Sequence, residues 1–206
     1  MLNVIKGPYP DSLIIMSEKK IIYYPEVGEG NTGKTMKAAK ERADEHGIKN
    51  IVVSSTRGGT ALAALDVFKG YNVVVVTHVA GFKEPGKIEM SDETVAEIKK
   101  KGGKVLTTVH AFGGVASAIQ KKFNTMESGL LIANVLRMFG QGMKVAFEIV
   151  YMAADAGLLP MDENVIAISG TGKGADTAIV AKPAHSGELF DLYVKEIIAK
   201  PSTRTY

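Results

Sequence analysis

The run Val73-Val74-Val75-Val76 constrains the fold more than any other feature of the sequence. Consecutive β-branched residues favour a strand, and an unbroken apolar run is typical of a strand that is covered on both faces. Four further apolar runs, at 21–24, 51–54, 104–109 and 164–169, are separated from it by helical patterns. The sequence therefore predicts an α/β protein with a doubly wound, mostly parallel sheet and helices on both of its faces.

Helical patterns connect the predicted strands over 32–45, 60–68, 92–101 and 115–157. The last stretch is interrupted near Asn124 and at 140–142, where asparagine and glycine residues break the helical pattern. Segments 176–181 and 189–197 fit either late strands or a short helix, and the pattern does not decide between them.

Length and composition exclude several classes of protein. A chain of 206 residues fits one α/β domain, and we predict a single domain over 1–206 in which residues 1–20 form an extension that packs on the rest. The absence of cysteine excludes disulfides and thiolate metal sites. A net charge of +3 is too small to predict nucleic acid as a partner. Without a signal-peptide pattern or a membrane-length apolar run, the expected location is the cytoplasm.

Open parallel sheets bind ligands beyond the carboxyl ends of their strands, so the turns that follow strands are the candidate sites. The turn Ser54–Thr60 combines hydroxyl side chains, two glycines and the start of a helix. Helix N-termini offer free N–H groups to anions, and Arg57 can donate two hydrogen bonds to a phosphate. This turn therefore predicts a phosphate site that needs no metal.

The turn Gly28–Thr35 has the spacing of a P-loop, in which Lys34 would contact a terminal phosphate and Thr35 would hold magnesium. A P-loop enzyme also needs a carboxylate at the end of another strand, and no other predicted strand ends in Asp or Glu. The alternative is an ordinary helix start capped by Asn31 or Thr32.

His78 and His110 each follow a predicted strand, with Gly81 and Gly113 close behind them. If the strands are neighbours, both imidazoles lie in one crevice. There they could hydrogen-bond a sugar or a base, or act as acid and base. Alternatively, both are structural residues at strand ends.

The turn that follows 164–169 carries Gly172, Lys173 and Gly174, which suit close approach to an anion. Asp176 could accept a hydrogen bond from a ligand or could only fix the turn. We assign no metal ligands and no catalytic residue. The predicted binding residues are Asn31, Thr32, Ser54, Ser55, Thr56, Arg57, Gly58, Gly59, Thr60, His78, Gly81, His110, Gly113, Gly172, Lys173, Gly174 and Asp176.

The Ser54–Thr60 turn resembles the phosphate-holding turn in the carboxyl-terminal domain of pyruvate kinase, and Val165–Gly172 is similar to that domain's last glycine-bearing turn. Most of the chain resembles stand-alone archaeal proteins of the pyruvate kinase α/β-domain-like family. The resemblance implies a three-layer α/β/α fold with a mixed sheet of about five main strands.

For the stand-alone proteins the resemblance implies flavin mononucleotide (FMN) as the cofactor, in a sensor or an oxidoreductase. For the pyruvate kinase domain it implies a regulatory role through a sugar phosphate, carried here by residues of the Ser54–Thr60 turn. A P-loop phosphotransferase is the remaining alternative. Pyruvate kinase activity is not expected, because the catalytic barrel of that enzyme has no counterpart in the sequence. The apolar region 130–152 could supply a homo-oligomer interface.

Overall fold

The structure, a computed structural model, describes residues 4–6, 13–15 and 18–204. Two short strands, β1 (Val4–Lys6) and β2 (Leu13–Ile15), form an antiparallel pair. The main sheet consists of β3 (Ile22–Tyr24), β4 (Asn50–Ser54), β5 (Asn72–Val76), β6 (Lys104–Leu106), β7 (Val165–Ser169), β8 (Thr177–Lys182) and β9 (Tyr193–Pro201). Most of the predicted N-terminal extension lies outside the described residues.

The main sheet has seven strands in the order β3-β9-β8-β7-β4-β5-β6. Strands β7, β4, β5 and β6 are mutually parallel, as are β3 and β9, whereas β8 runs antiparallel to both of its neighbours. The predicted mostly parallel, doubly wound α/β fold is confirmed. The prediction of about five main strands was too low, because the two undecided late segments contribute β8 and β9.

In the described part of the chain, six α-helices flank the sheet: α1 (Thr32–His46), α2 (Gly59–Val67), α3 (Asp92–Lys100), α4 (Val115–Phe123), α5 (Ser128–Arg137) and α6 (Gln141–Asp155). The predicted interruptions of the long helical stretch are confirmed, since Asn124 and Gly140 both adopt positive φ angles, 51° and 124°. Helix α1 ends at Gly47 in the left-handed conformation, and Ser91 caps α3 by accepting a hydrogen bond from the Thr94 N–H.

Alternation along the central strands divides the core into two layers. Ile51 and Val53 of β4 point to the side covered by α1, α2 and α3, whereas Val52 points to the side covered by α5 and α6. The same alternation separates Val73 from Val74 in β5. These side chains are fully or almost fully buried, so the four-valine run is covered on both faces, as a central parallel strand requires.

Helices α4 and α5 and the two residues after α5 leave large apolar side chains exposed, including Phe123, Leu131, Val135, Met138 and Phe139. Helix α6, by contrast, is mostly buried within the chain. Of the region 130–152, α5 and the residues that follow it therefore offer the apolar surface, and the homo-oligomer remains a prediction. Within the described part of the chain, no helix combines the length and apolarity needed to cross a bilayer.

Gly142 of α6 packs tightly against Thr177 of β8. A Cβ atom placed there would lie 2.1 Å from the Thr177 Oγ1. Gly142→Ala should therefore lower the free energy of unfolding by about 1–3 kcal/mol through overpacking. Gly33→Ala is the matched control, because a Cβ at Gly33 of α1 meets no atom within 4 Å. It should stabilise by up to about 1 kcal/mol through helix propensity. Urea unfolding of both variants checks the prediction, and an equal effect of the two substitutions would contradict the packing account.

Candidate functional site

A cavity of about 360 Å³ lies at the carboxyl ends of β4 and β7. We refer to it as the anion cavity. It brings together three of the turns singled out in the sequence: the Ser54–Thr60 turn, the Gly170–Gly174 turn and the start of α1. Its lining consists of Glu29, Thr32, Ser54, Ser55, Thr56, Arg57, Gly59, Thr60, Ala63, Gly170, Gly172, Lys173 and Gly174.

The Ser54–Thr60 turn is built to expose the N-terminus of α2. The buried Ser55 Oγ accepts hydrogen bonds from the N–H groups of Gly58 and Ala61, both at 3.2 Å. Gly59 and Thr60 begin the helix, and N–H groups of a first turn have no partner within the helix. They line the anion cavity together with the side chains of Thr56 and Thr60.

Gly58 is required at its position for two reasons. Its φ angle is +100°, and a Cβ atom there would lie 2.2 Å from the Thr94 Cγ2 of α3. It does not line the anion cavity. Gly58 allows the chain to turn tightly before α2, and this turn places the hydroxyl side chains at the N-terminus of that helix.

The second wall, Gly170–Gly174, is held by the buried carboxylate of Asp176. Its Oδ2 accepts hydrogen bonds from the N–H groups of Gly28 (2.9 Å) and Thr171 (3.1 Å), and its Oδ1 accepts one from the Thr177 hydroxyl (2.8 Å). Of the two roles considered for Asp176, the structure therefore supports fixing the turn. Gly174 packs against the start of α1, where a Cβ would lie 2.5 Å from the Glu29 Cα.

The start of α1 forms the third wall through Glu29 and Thr32, but Lys34 and Thr35, which would contact phosphate and magnesium in a P-loop, do not line the cavity. The buried Thr35 hydroxyl bonds to the Tyr24 hydroxyl at 3.0 Å and donates to the Ala175 carbonyl at 3.3 Å. Lys34 is exposed and is not part of the lining. Thr32 accepts a hydrogen bond from the Ala175 N–H at 2.9 Å. The motif thus serves mainly to join α1 to the β7–β8 turn.

Both cations that line the anion cavity are paired with carboxylates. Lys173 Nζ lies 2.7 Å from Glu29 Oε2, and Arg57 Nη2 lies 3.4 Å from Glu89 Oε1. An anionic ligand therefore has to compete with Glu29 and Glu89 for these side chains. The hydroxyls of Thr32, Ser55 and Thr56 are hydrogen-bonded to N–H or imidazole groups and not to carboxylates.

The two predicted histidines lie next to each other, with ring centroids 5.5 Å apart, and Phe82 lies 4.2 Å from His78. They adjoin a smaller cavity of about 60 Å³, which also includes Ser54, Ser55 and Thr56 in its lining. Burial lowers the pKa of the His110 imidazole, and the nearby Glu148 carboxylate offsets this effect only in part. The histidines are thus neighbours of the anion cavity and do not line it.

Several predicted residues lie away from the anion cavity. Gly81 closes the loop after β5 by donating to the Lys87 carbonyl at 2.8 Å, and Gly113 donates to the His110 carbonyl at 3.1 Å. The Asn31 side chain donates to the Glu26 carbonyl at 2.8 Å. The predicted residues outside the lining are Asn31, Gly58, His78, Gly81, His110, Gly113 and Asp176.

Sequence reasoning missed two carboxylates near the site. One is Glu89, which pairs with His78. The two residues are eleven positions apart, and no local sequence pattern predicts their contact. The other is Glu148, which forms a buried ion pair with Lys144 and accepts a hydrogen bond from the Phe112 N–H at 3.2 Å. The spacing of Lys144 and Glu148 by four residues on an otherwise apolar helix was an available signal. Among the residues that the structure describes, no cluster of three or more histidine or acidic side chains could hold a metal ion.

The sequence matches the family of the pyruvate kinase alpha/beta domain over residues 33–181. The chain belongs to this family. The family match includes the Ser54–Thr60 and Gly170–Gly174 walls of the anion cavity, whereas the wall formed by Glu29 and Thr32 precedes it.

Solved structures that resemble the chain include three of pyruvate kinase from Cryptosporidium parvum. The first has 15% identity over 73% of this chain, with a TM-score of 0.38. The second has 14% identity over 73%, with a TM-score of 0.36. The third, in complex with ADP, has 15% identity over 82%, with a TM-score of 0.35. The chain spans 22–23% of the length of these enzymes.

Removal of the Asp176 carboxylate tests whether it holds the cavity wall together. Asp176→Ala leaves the N–H groups of Gly28 and Thr171 without their buried acceptor. The free energy of unfolding should therefore fall by about 3–5 kcal/mol. Asp162→Asn, at an exposed acidic residue, should change stability by less than about 0.5 kcal/mol. Urea denaturation followed by circular dichroism measures both. A similar small effect of the two substitutions would show that Asp176 does not stabilise this turn.

Proposed function

We propose that the anion cavity binds the phosphate group of a small ligand, and that FMN is this ligand. The observation that carries the proposal is the joint lining of one 360 Å³ cavity by the first turn of α2, by hydroxyl side chains and by a glycine-rich turn. Helix N-termini and hydroxyl groups stabilise a phosphate through hydrogen bonds without a metal. The cavity lies where ligands of open α/β sheets bind.

The neighbourhood of the cavity supports a ligand with one phosphate and a flat ring. Only two cations line the cavity, and each already has a carboxylate partner, which suits a single phosphate better than a di- or triphosphate. Ser54, Ser55 and Thr56 line both the anion cavity and the smaller cavity, which is also lined by His78 and His110 with the Phe82 ring beside them. These rings could pack against an isoalloxazine ring, as aromatic side chains pack against one another.

A phosphorylated sugar is the second candidate ligand, in a regulatory module. The family assignment favours it, because the same turn would hold the phosphate. The P-loop alternative is less well supported, since the Thr35 hydroxyl is buried against Tyr24 and Ala175. A panel of FMN, riboflavin and phosphorylated sugars distinguishes the two ligand classes by thermal shift.

Flavin titration followed by fluorescence tests the phosphate site. FMN should bind roughly 100-fold or more tightly than riboflavin, which lacks the phosphate and its charge-assisted hydrogen bonds. Thr60→Val should weaken FMN binding by about 10- to 100-fold through loss of one such bond. Lys34→Ala, on the exposed P-loop lysine, should change affinity by less than about twofold. Loss of binding in Lys34→Ala but not in Thr60→Val would move the phosphate to the P-loop motif.

A coupled assay for phosphoenolpyruvate-dependent ATP formation should give no signal with the pure protein. Phosphoryl transfer between these substrates needs carboxylates that position magnesium on the phosphates. The single carboxylate in the lining of the anion cavity, Glu29, is paired with Lys173. A pyruvate kinase assayed in parallel supplies the positive control. Turnover that scales with the concentration of the pure protein would contradict the prediction.

A further inference from the structure

Thr56, His78 and Glu89 form a hydroxyl–imidazole–carboxylate row beside the anion cavity. Thr56 Oγ1 lies 3.4 Å from His78 Nε2, and His78 Nδ1 lies 2.8 Å from Glu89 Oε2. The three residues come from separate segments: the turn after β4, the turn after β5 and the loop before α3. This is the order of groups that activates a hydroxyl nucleophile in hydrolases of unrelated folds.

Glu89 fixes the orientation and tautomer of the imidazole. A carboxylate at Nδ1 accepts a hydrogen bond from the Nδ1–H group, and in the neutral imidazole this leaves Nε2 free to accept a hydrogen bond from the Thr56 hydroxyl. The hydrogen bond from His78 is the main reason why the pKa of the Glu89 carboxyl lies below its usual value. Arg57 and Lys83 also reach Glu89, at 3.4 and 3.5 Å, and favour its charged form.

Thr56 lines both cavities, as Ser54 and Ser55 do, and it is the residue of these three whose hydroxyl contacts the His78 imidazole. The lining of the smaller cavity includes four apolar side chains, Val76, Val145, Ile149 and Met152, beside Thr77, His110 and Glu148. A substrate that spans Thr56 would place an anion on the α2 side and a small apolar group on the other. The volume of about 60 Å³ limits that group to a few atoms.

We propose that Thr56 is a nucleophile that hydrolyses short-chain acyl phosphates, with the phosphate in the anion cavity and the acyl group in the smaller one. The position of the phosphate rests on the proposed function. The attack on the carbonyl carbon does not depend on FMN, which would occupy the same cavity and act as a competitor.

The reaction consists of two balanced steps without redox change. Thr56 Oγ attacks the carbonyl carbon, His78 Nε2 takes the hydroxyl proton, and the carbon–oxygen bond to phosphate breaks as His78 returns that proton to the leaving oxygen. Water then attacks the carbonyl carbon of the acyl-threonine ester, the bond between that carbon and Thr56 Oγ breaks, and His78 transfers a proton from the water to Thr56 Oγ. The products are a carboxylate, hydrogen phosphate and one proton.

The test uses acetyl phosphate as the probe, with its consumption followed by conversion of the remainder to the hydroxamate. The wild-type protein should consume it catalytically. Thr56→Val and His78→Gln should each lower the rate by about 100-fold or more, and Glu89→Gln by at least about tenfold. After rapid quenching, mass spectrometry should find one acetyl group on the peptide that carries Thr56.

His46→Asn is the matched control. His46 Nε2 pairs with Glu196 Oε1 at 2.7 Å on the far side of α1, so it is a second imidazole–carboxylate pair outside both cavities. This variant should retain the wild-type rate. Melting curves of all variants verify that they are folded.

The outcomes separate this proposal from the FMN proposal. FMN binding without acetyl phosphate turnover, or turnover that survives Thr56→Val, overturns the nucleophile and leaves the cofactor in place. Turnover that depends on Thr56 and His78 in a protein that does not bind FMN supports the nucleophile and overturns the cofactor. An acetyl group found on a lysine and not on Thr56 also overturns the nucleophile.

Discussion

The Asp176 carboxylate is the interaction on which the geometry of the site depends. It is fully buried, yet it gathers the Gly28 N–H, the Thr171 N–H and the Thr177 hydroxyl around itself. A buried charge is stable only when its hydrogen bonds are satisfied, so these three groups have little freedom to move. The contact joins the start of α1 to the β7–β8 turn, and the second and third walls of the anion cavity thereby become one rigid unit.

The first wall is the Ser54–Thr60 turn. It does not depend on the Asp176 contact, and it supplies the N–H and hydroxyl groups of the cavity. Ser55 and Gly58 shape the turn, and the N-terminus of α2 then faces a space whose two cations are already neutralised by carboxylates. A ligand would bind through N–H groups and hydroxyls, and it would have to compete with Glu29 and Glu89 for the two cations. This is the reason why we propose a ligand with one phosphate. The same turn carries Thr56, and the adjacent strand end carries His78. The proposed phosphate site and the proposed site of proton transfer therefore share Thr56.

How far the sequence predicts this site depends on how local each feature is. The Ser54–Thr60 turn was predictable, because hydroxyls, glycines and a helix start lie within seven consecutive residues. The roles of β8 and β9 were not, because a short apolar segment fits a strand or a helix equally well. The sequence predicted His78, His110 and Gly172 as binding residues of one ligand, with the two histidines in one crevice. They are neighbours of each other, but β5 and β6 lie on the side of β4 away from β7. Glu89 reaches His78 only through the folded loop.

A crystal structure of the protein with FMN tests the central claim most directly, since it locates the phosphorus atom. The account predicts phosphate oxygens within hydrogen-bonding distance of the Gly59 and Thr60 N–H groups, with Glu29 displaced from Lys173. Phosphate at the Lys34 side of α1, or FMN bound outside the anion cavity, would contradict it.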